Sequence, residues 1–354
     1  MNLKGEVIRI NTANSSLKRS GFLDMLKMIF IILVIITHLS WSTSSLSFFI
    51  FPYLIDMAVP VFMIISCYLR SRKIERIGFK KFISIPNSLH FFNSIIFAYT
   101  VAAVIELILS FIKWQTEGLA YDYLHSFRAF IKWFFWGLGG PGSYYMPIMV
   151  QLIFFYPIIF LLVSKLKIFG LLATFLLNLG YEIYVFKTEL HPYDYRLWIF
   201  RYTFLIGLGI YFSMSKGRKK DDIIAAILLT IGAVFITINS YIRPFSLFQA
   251  WKTTSMICVP FAYGLVYFLK KAFGNISYRK AFIIGRASLH IYLVQMIFYG
   301  FDGEDLLNAA FGFMPTALCY IFKIIAAIAI CVSLGLLFFI SETKLRETFK
   351  KKTT

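Results

Sequence analysis

The sequence predicts an all-α fold, a polytopic transmembrane helical bundle of about ten transmembrane helices with both termini cytoplasmic. Three observations predict it. Of 354 residues, 59% are hydrophobic and 15% charged, with a mean hydropathy of +0.74, more apolar surface than a water-soluble core of this length can bury. The apolar residues form long runs separated by short polar segments. The Lys and Arg residues behind the formal net charge of +19 gather in alternate segments between those runs, which marks cytoplasmic loops and not a nucleic-acid surface.

A hydrocarbon core of about 30 Å needs roughly 20 apolar residues per helix. That ruler places spans at about 23–42, 48–69, 88–112, 144–164, 168–186, 197–214, 222–241, 250–269, 281–300 and 316–341. Residues 1–354 form one integral membrane domain, with a cytoplasmic segment 1–22 before the first span and a basic tail 342–354 after the last. The first span follows a polar stretch and lacks a small-residue cleavage site, so it is expected to stay as a helix.

With the amino terminus inside, the inner segments carry Lys4, Arg9, Lys18 and Arg19, then Arg70 to Lys81, Lys165 and Lys167, Lys216 to Lys220, Lys270 to Lys280, and Lys344 to Lys352. The outer loops keep only Lys113, Arg128, Lys132, Lys187, Arg196 and Arg243, and the loop after span nine carries the acids Asp302, Glu304 and Asp305. In the longest outer loop, 113–143, the aromatic stretch Phe127 to Trp136 predicts a helix lying in the interface. Gly137, Gly139, Gly140, Pro141 and Gly142 then end it. Cys67, Cys258, Cys319 and Cys331 sit in or beside apolar runs without CxxC spacing and are expected to pack as small hydrophobes. No metal motif, Walker loop, dinucleotide glycine pattern or Gly-x-Ser-x-Gly elbow occurs, so no metal site and no bound cofactor are expected.

Ionisable residues inside a membrane are costly, and each is a functional candidate. Asp24, Lys27 and His38 all fall in span one. The eleven-residue step from Lys27 to His38 returns to within roughly 20° of the same helix face, about 16 Å further along the axis. Asp24, three residues before Lys27, shares the stripe. A cation at the inner face suits a phosphate-bearing donor, and an imidazole within the bundle suits a general base or acyl carrier. The structural alternative is an interfacial Asp24–Lys27 pair with His38 bonded to a neighbouring helix.

The run Leu23-Asp-Met-Leu-Lys27, ten residues and His38 resembles the opening of the membrane-bound acyltransferase family 3. Three further stretches resemble that family in order: Ala58 to Leu69, Tyr144 to Pro157, and Ile284 to Gln295. The chain departs from the family pattern with Lys27 for Arg, Cys67 for Gly, Ser84 for a second basic residue and Gln295 for His. The resemblance implies transfer of an acyl group, most often acetyl, from cytoplasmic acyl-coenzyme A to a hydroxyl of a cell-surface or lipid-linked polysaccharide, in a bacterial inner membrane. Acyl-coenzyme A is then a co-substrate. Its negative charges would meet Lys27, Arg70, Arg72, Lys80 and Lys81.

Asp56 in span two is a candidate partner of His38 or Arg201. Tyr144, Tyr145 and Gln151 are candidates for stacking on and bonding to a sugar, with the interfacial aromatic belt as the alternative for the tyrosines. Ser66 either breaks helix two or packs between helices. His290 is expected to pack, and Glu106, Glu182, Lys252 and Lys323 to pair between helices or line a cavity. The expected partners are the bilayer, acyl-coenzyme A and a carbohydrate acceptor, with no nucleic acid; a homo-oligomer is compatible with the sequence. The other readings are a transporter of a lipid-linked sugar and a non-catalytic relative.

Overall fold

Hydrocarbon offers no hydrogen bonds, so apolar chain satisfies its backbone internally. A computed structural model, which describes residues 21–39, 51–119, 121–215, 217–242, 256, 259–274 and 279–353, is accordingly helical, with no strand among the described residues. The basic residues Lys4, Arg9, Lys18 and Arg19, together with Lys216, Arg243, Lys252, Cys258 and the start of the eighth span, lie outside the described residues.

Helix α1 (Gly21–Thr37) is followed by a π-helical turn, Phe51–Ile55, and α2 (Ala58–Ile77). Then come α3 (Ile85–Glu117), α4 (Phe127–Phe135), α5 (Tyr145–Leu166) and α6 (Ile168–Thr188). The rest are α7 (Thr203–Met214), α8 (Lys219–Thr237), α9 (Val259–Phe273), α10 (Arg279–Arg286), α11 (Ser288–Gly300), α12 (Gly303–Phe311) and α13 (Thr316–Thr353).

Among the described residues, six stretches are long and apolar enough to cross a membrane: Phe51–Ile77, Ile85–Glu117, Tyr145–Leu166, Ile168–Thr188, Lys219–Ile242 and Thr316–Thr348. The other four expected spans correspond to α1, α7, α9 and the α10–α11 pair. Helices α7 and α11 have 12 and 13 residues, fewer than the roughly 20 that a straight crossing takes, while α1 and α9 are described over 17 and 15 residues. The reasons are local. A 3-10 turn, Ile199–Tyr202, stands in for the start of α7, and span nine is divided at Ala287.

The helix expected over Phe127 to Trp136 appears as α4. Phe127 and Phe135 are 80% and 65% exposed while Trp133 is buried, the two-faced pattern of a helix lying along an apolar boundary. The glycines end it as expected, with Gly137, Leu138 and Gly142 at positive φ.

Two helices form the centre of the bundle. Helix α7 is buried on nearly every side, packed against α2, α5, α6 and α9, and α1 packs against α2, α10, α11 and α13. Cys67 is fully buried where α2 crosses Gly209 of α7, and a β-carbon at Gly209 would overlap the Cys67 side chain. The thiol therefore fills the space that one small residue leaves opposite another, as expected for a small core hydrophobe. Cys319 and Cys331 are likewise buried and free. Helix α2 runs through Ser66 without interruption, so the irregularity of span two lies at the π turn before it, and Ser66 does not break the helix.

Candidate functional site

Lys27, Ile31, Val34 and His38 recur at steps of four, three and four, one face of a helix. In the fold that face turns onto two cavities. The first, about 220 Å³, is lined by Lys27, Ile31, Val34, Ser66, Phe91, Ile95, Tyr145 and Tyr292 among others. The second, about 840 Å³, holds His38, Asp56, Gly139 to Tyr145, Arg196, Tyr292 and Tyr299. Val34, Val59, Tyr145 and Tyr292 line both. A third cavity of about 520 Å³, beside Arg70 and Lys73, shares Phe91 with the first. The three lie in order from Arg70, past Lys27, to His38, each sharing lining residues with the next.

At the His38 end the imidazole follows the last turn of α1, with its ring 5.7 Å from that of Tyr299. The Tyr299 hydroxyl donates to the Ile35 carbonyl at 3.0 Å, which fixes α11 against α1 beside the imidazole. Opposite His38 runs the glycine loop after α4. Gly142 sits at φ +85°, and a β-carbon there would lie 3.8 Å from His38 Nε2 and 3.7 Å from the Tyr292 hydroxyl. A side chain at Gly142 would therefore stand in front of the imidazole and in a backbone region that only glycine enters freely. The Tyr292 hydroxyl donates to the Gly142 carbonyl, and Gln295, fully buried, reaches the Pro141 carbonyl through Nε2 at 3.4 Å.

At the other end the Arg70 guanidinium lies 3.8 Å from the Phe91 ring centroid and 5.5 Å from that of Tyr156. Its Nη2 is buried without a hydrogen-bond partner among the described residues. Lys73 Nζ donates to Asn87 Oδ1 at 2.6 Å. Pro157, which interrupts the α5 backbone ladder, faces this third cavity.

The fold brings together most of the residues singled out from the sequence. Lys27 and Ser66 line the first cavity, Asp56 and Tyr144 the second, and Tyr145 both. The Arg196 guanidinium stands 5.8 Å from the Tyr144 ring centroid. Asp24 is buried at the start of α1, its backbone against Gly285 of α10, and lines none of these cavities. Arg72 is exposed and pairs with Glu75, and Lys80 and Lys81 are exposed on the short turn Phe79–Phe82. Gln151 donates to the Leu197 carbonyl at 2.7 Å and accepts from the Ile199 amide at 3.0 Å. Its amide thus ties α5 to the segment before α7, away from the His38 cavity.

Arg196 and Tyr299 were not singled out from the sequence. Arg196 read only as an outer-loop charge. Elsewhere, the Tyr195 hydroxyl donates to buried Glu182 at 2.6 Å, with Arg201 4.3 Å from the Tyr195 ring centroid. His290 Nε2 lies 2.6 Å from Glu342 Oε2, and Lys323 bonds Asn308. These hold helices together, in line with the pairing and packing expected of Glu182, Lys323 and His290. Among the described residues no cluster of His, Cys, Asp and Glu has the arrangement of a metal site.

The geometry can therefore admit an anionic molecule at Arg70 and Lys27, with an imidazole facing the largest of the three cavities. A family model described as an acyltransferase domain, the third family of that name, matches residues 20–336. Among curated proteins and solved structures, none matches the chain.

Proposed function

Since the chain belongs to the membrane acyltransferase family 3, we propose that it transfers an acyl group, most often acetyl, from cytoplasmic acyl-coenzyme A to a hydroxyl of a cell-surface or lipid-linked polysaccharide. The observation that carries this reading is the order of three cavities from Arg70, past Lys27, to His38, neighbours sharing the lining residues Phe91 or Val34, Val59, Tyr145 and Tyr292. The donor's phosphates stay with Lys27, Arg70, Arg72, Lys80 and Lys81. Its thin thioester arm threads the narrow cavity. The rise from Lys27 to His38 is about 16 Å, the order of reach of an extended phosphopantetheine arm. Asp56, Tyr144, Tyr145 and Arg196 offer the sugar hydrogen bonds and aromatic faces.

In the transfer, an acceptor oxygen attacks the thioester carbon and the carbon–sulfur bond breaks. His38 Nε2 takes the hydroxyl proton, which then neutralises the departing thiolate. In the two-step form His38 attacks first and carries the acyl group to the sugar. Acyl label that stays on the protein separates the two.

Lys27→Ala is expected to raise the KM for acyl-coenzyme A about tenfold, the loss of roughly one charge-assisted contact, and Lys27→Arg to restore it. Steady-state kinetics with varied donor check this, and equal donor KM in all three forms would remove Lys27 from donor binding.

We also propose that the bundle crosses the membrane ten times with both termini in the cytoplasm, because the charge asymmetry of its loops is consistent along the chain. Single cysteines at Asn2 and Thr354, in a background with the native cysteines replaced, should resist an impermeant thiol reagent applied to intact cells and react after lysis. Labelling of either one in intact cells would reverse that terminus.

A further inference from the structure

Glu106 is a carboxylate inside α3, 1% exposed, that the reaction as described does not use. Burying an acid at membrane depth is costly and calls for partners that repay it. Its Oε1 accepts from Trp133 Nε1 at 2.8 Å and from the Gly139 amide at 2.6 Å. Its Oε2 is buried with no hydrogen-bond partner among the described residues. Both donors belong to the α4-to-loop corner, so one oxygen fixes the end of the interface helix and the start of the glycine loop at once.

The same loop is gripped from the other side by Tyr292 at the Gly142 carbonyl and Gln295 at the Pro141 carbonyl. Gly140 packs so closely on α11 that a β-carbon would overlap Met296. The far end of this clamped segment is Gly142, the residue facing His38 Nε2. Loops with three residues at positive φ hold their shape only when the surroundings over-determine it, and here three side chains from two helices do so.

We infer that Glu106 is a positioning residue of the transfer reaction: through Gly139 it sets the backbone wall that holds the reacting carbonyl and acceptor hydroxyl against His38. The inference rests on the acyl-transfer reading, and it assigns Glu106 no contact with donor or acceptor. Displacement of a catalytic wall by about 1 Å costs on the order of 100-fold in rate.

The test compares wild type, Glu106→Ala and Glu106→Gln as purified full-length protein in nanodiscs. Hydrogen exchange is followed over residues 137–143 together with kcat and donor KM. Glu106→Ala should speed exchange in that loop and lower kcat 10- to 100-fold with donor KM within about twofold of wild type. Glu106→Gln keeps an Oε1 acceptor and should return both exchange and kcat to within about threefold of wild type. Unchanged loop exchange in Glu106→Ala, an unchanged kcat, or a loss carried by donor KM would each overturn the inference. A wild-type protein that transfers nothing would count against the acyl-transfer reading, and the exchange data would still decide whether Glu106 anchors the loop.

Discussion

Alanine in place of His38 is expected to lower acyl transfer by a factor of about 10² to 10⁴, the contribution of a positioned general base, and so to abolish acylation of the acceptor glycan in cells. The imidazole faces the 840 Å³ cavity and bounds the space in front of Gly142, so its removal enlarges an existing cavity without emptying the core. Protein level and membrane insertion should therefore stay close to wild type. Glycan acylation, read by mass spectrometry of the released polysaccharide, checks the expectation. Unchanged acylation with His38→Ala would remove the imidazole from the chemistry.

The second large effect is expected from closing the passage. Val59 lines both the narrow cavity and the His38 cavity and sits in the first turn of α2. A tryptophan there would fill the junction between them, blocking an arm that has to pass, while the polar groups at either end stay in place. Val59→Trp should abolish transfer, a loss of at least about 100-fold if the reacting carbonyl cannot reach its near-attack position, and leave binding of desacyl donor at the basic end measurable. Ile227→Trp, on the exposed face of α8, serves as the control for adding a large ring to the bundle. Full activity with Val59→Trp would mean that donor and acceptor meet by another route.

Much of this architecture was legible in the sequence, and the parts that were not share a physical cause. The long helices follow from apolar runs, and α4 with its glycine stop follows from aromatics ahead of Gly137 to Gly142. The Lys27–His38 stripe was legible because helix periodicity links residues eleven apart whatever surrounds them. Short spans were harder: α7 and α11 are apolar enough to read as full crossings, but a 3-10 turn and the division at Ala287 shorten them. Periodicity does not encode such local changes of winding.

Contacts between distant residues left no trace. Glu106 finds an indole N–H 27 residues away and a backbone amide 33 residues away, partners that no motif spacing announces. Gln151 sits where a sugar ligand was expected, yet its amide is spent on Leu197 and Ile199. A glutamine's partners depend on which backbone passes by, which only the fold decides. Arg196 carried its message as a charge in an outer loop, and its place over Tyr144 becomes visible only when α5 and the segment before α7 are brought together.

The most direct test of acyl transfer along this series of cavities uses purified protein in nanodiscs with acetyl-coenzyme A radiolabelled in the acetyl group and native lipid-linked glycan. Wild type should pass label to the glycan, while His38→Ala and Val59→Trp should not. Label transfer that is equal in all three, or absent from wild type across acyl donors of several chain lengths, would contradict it.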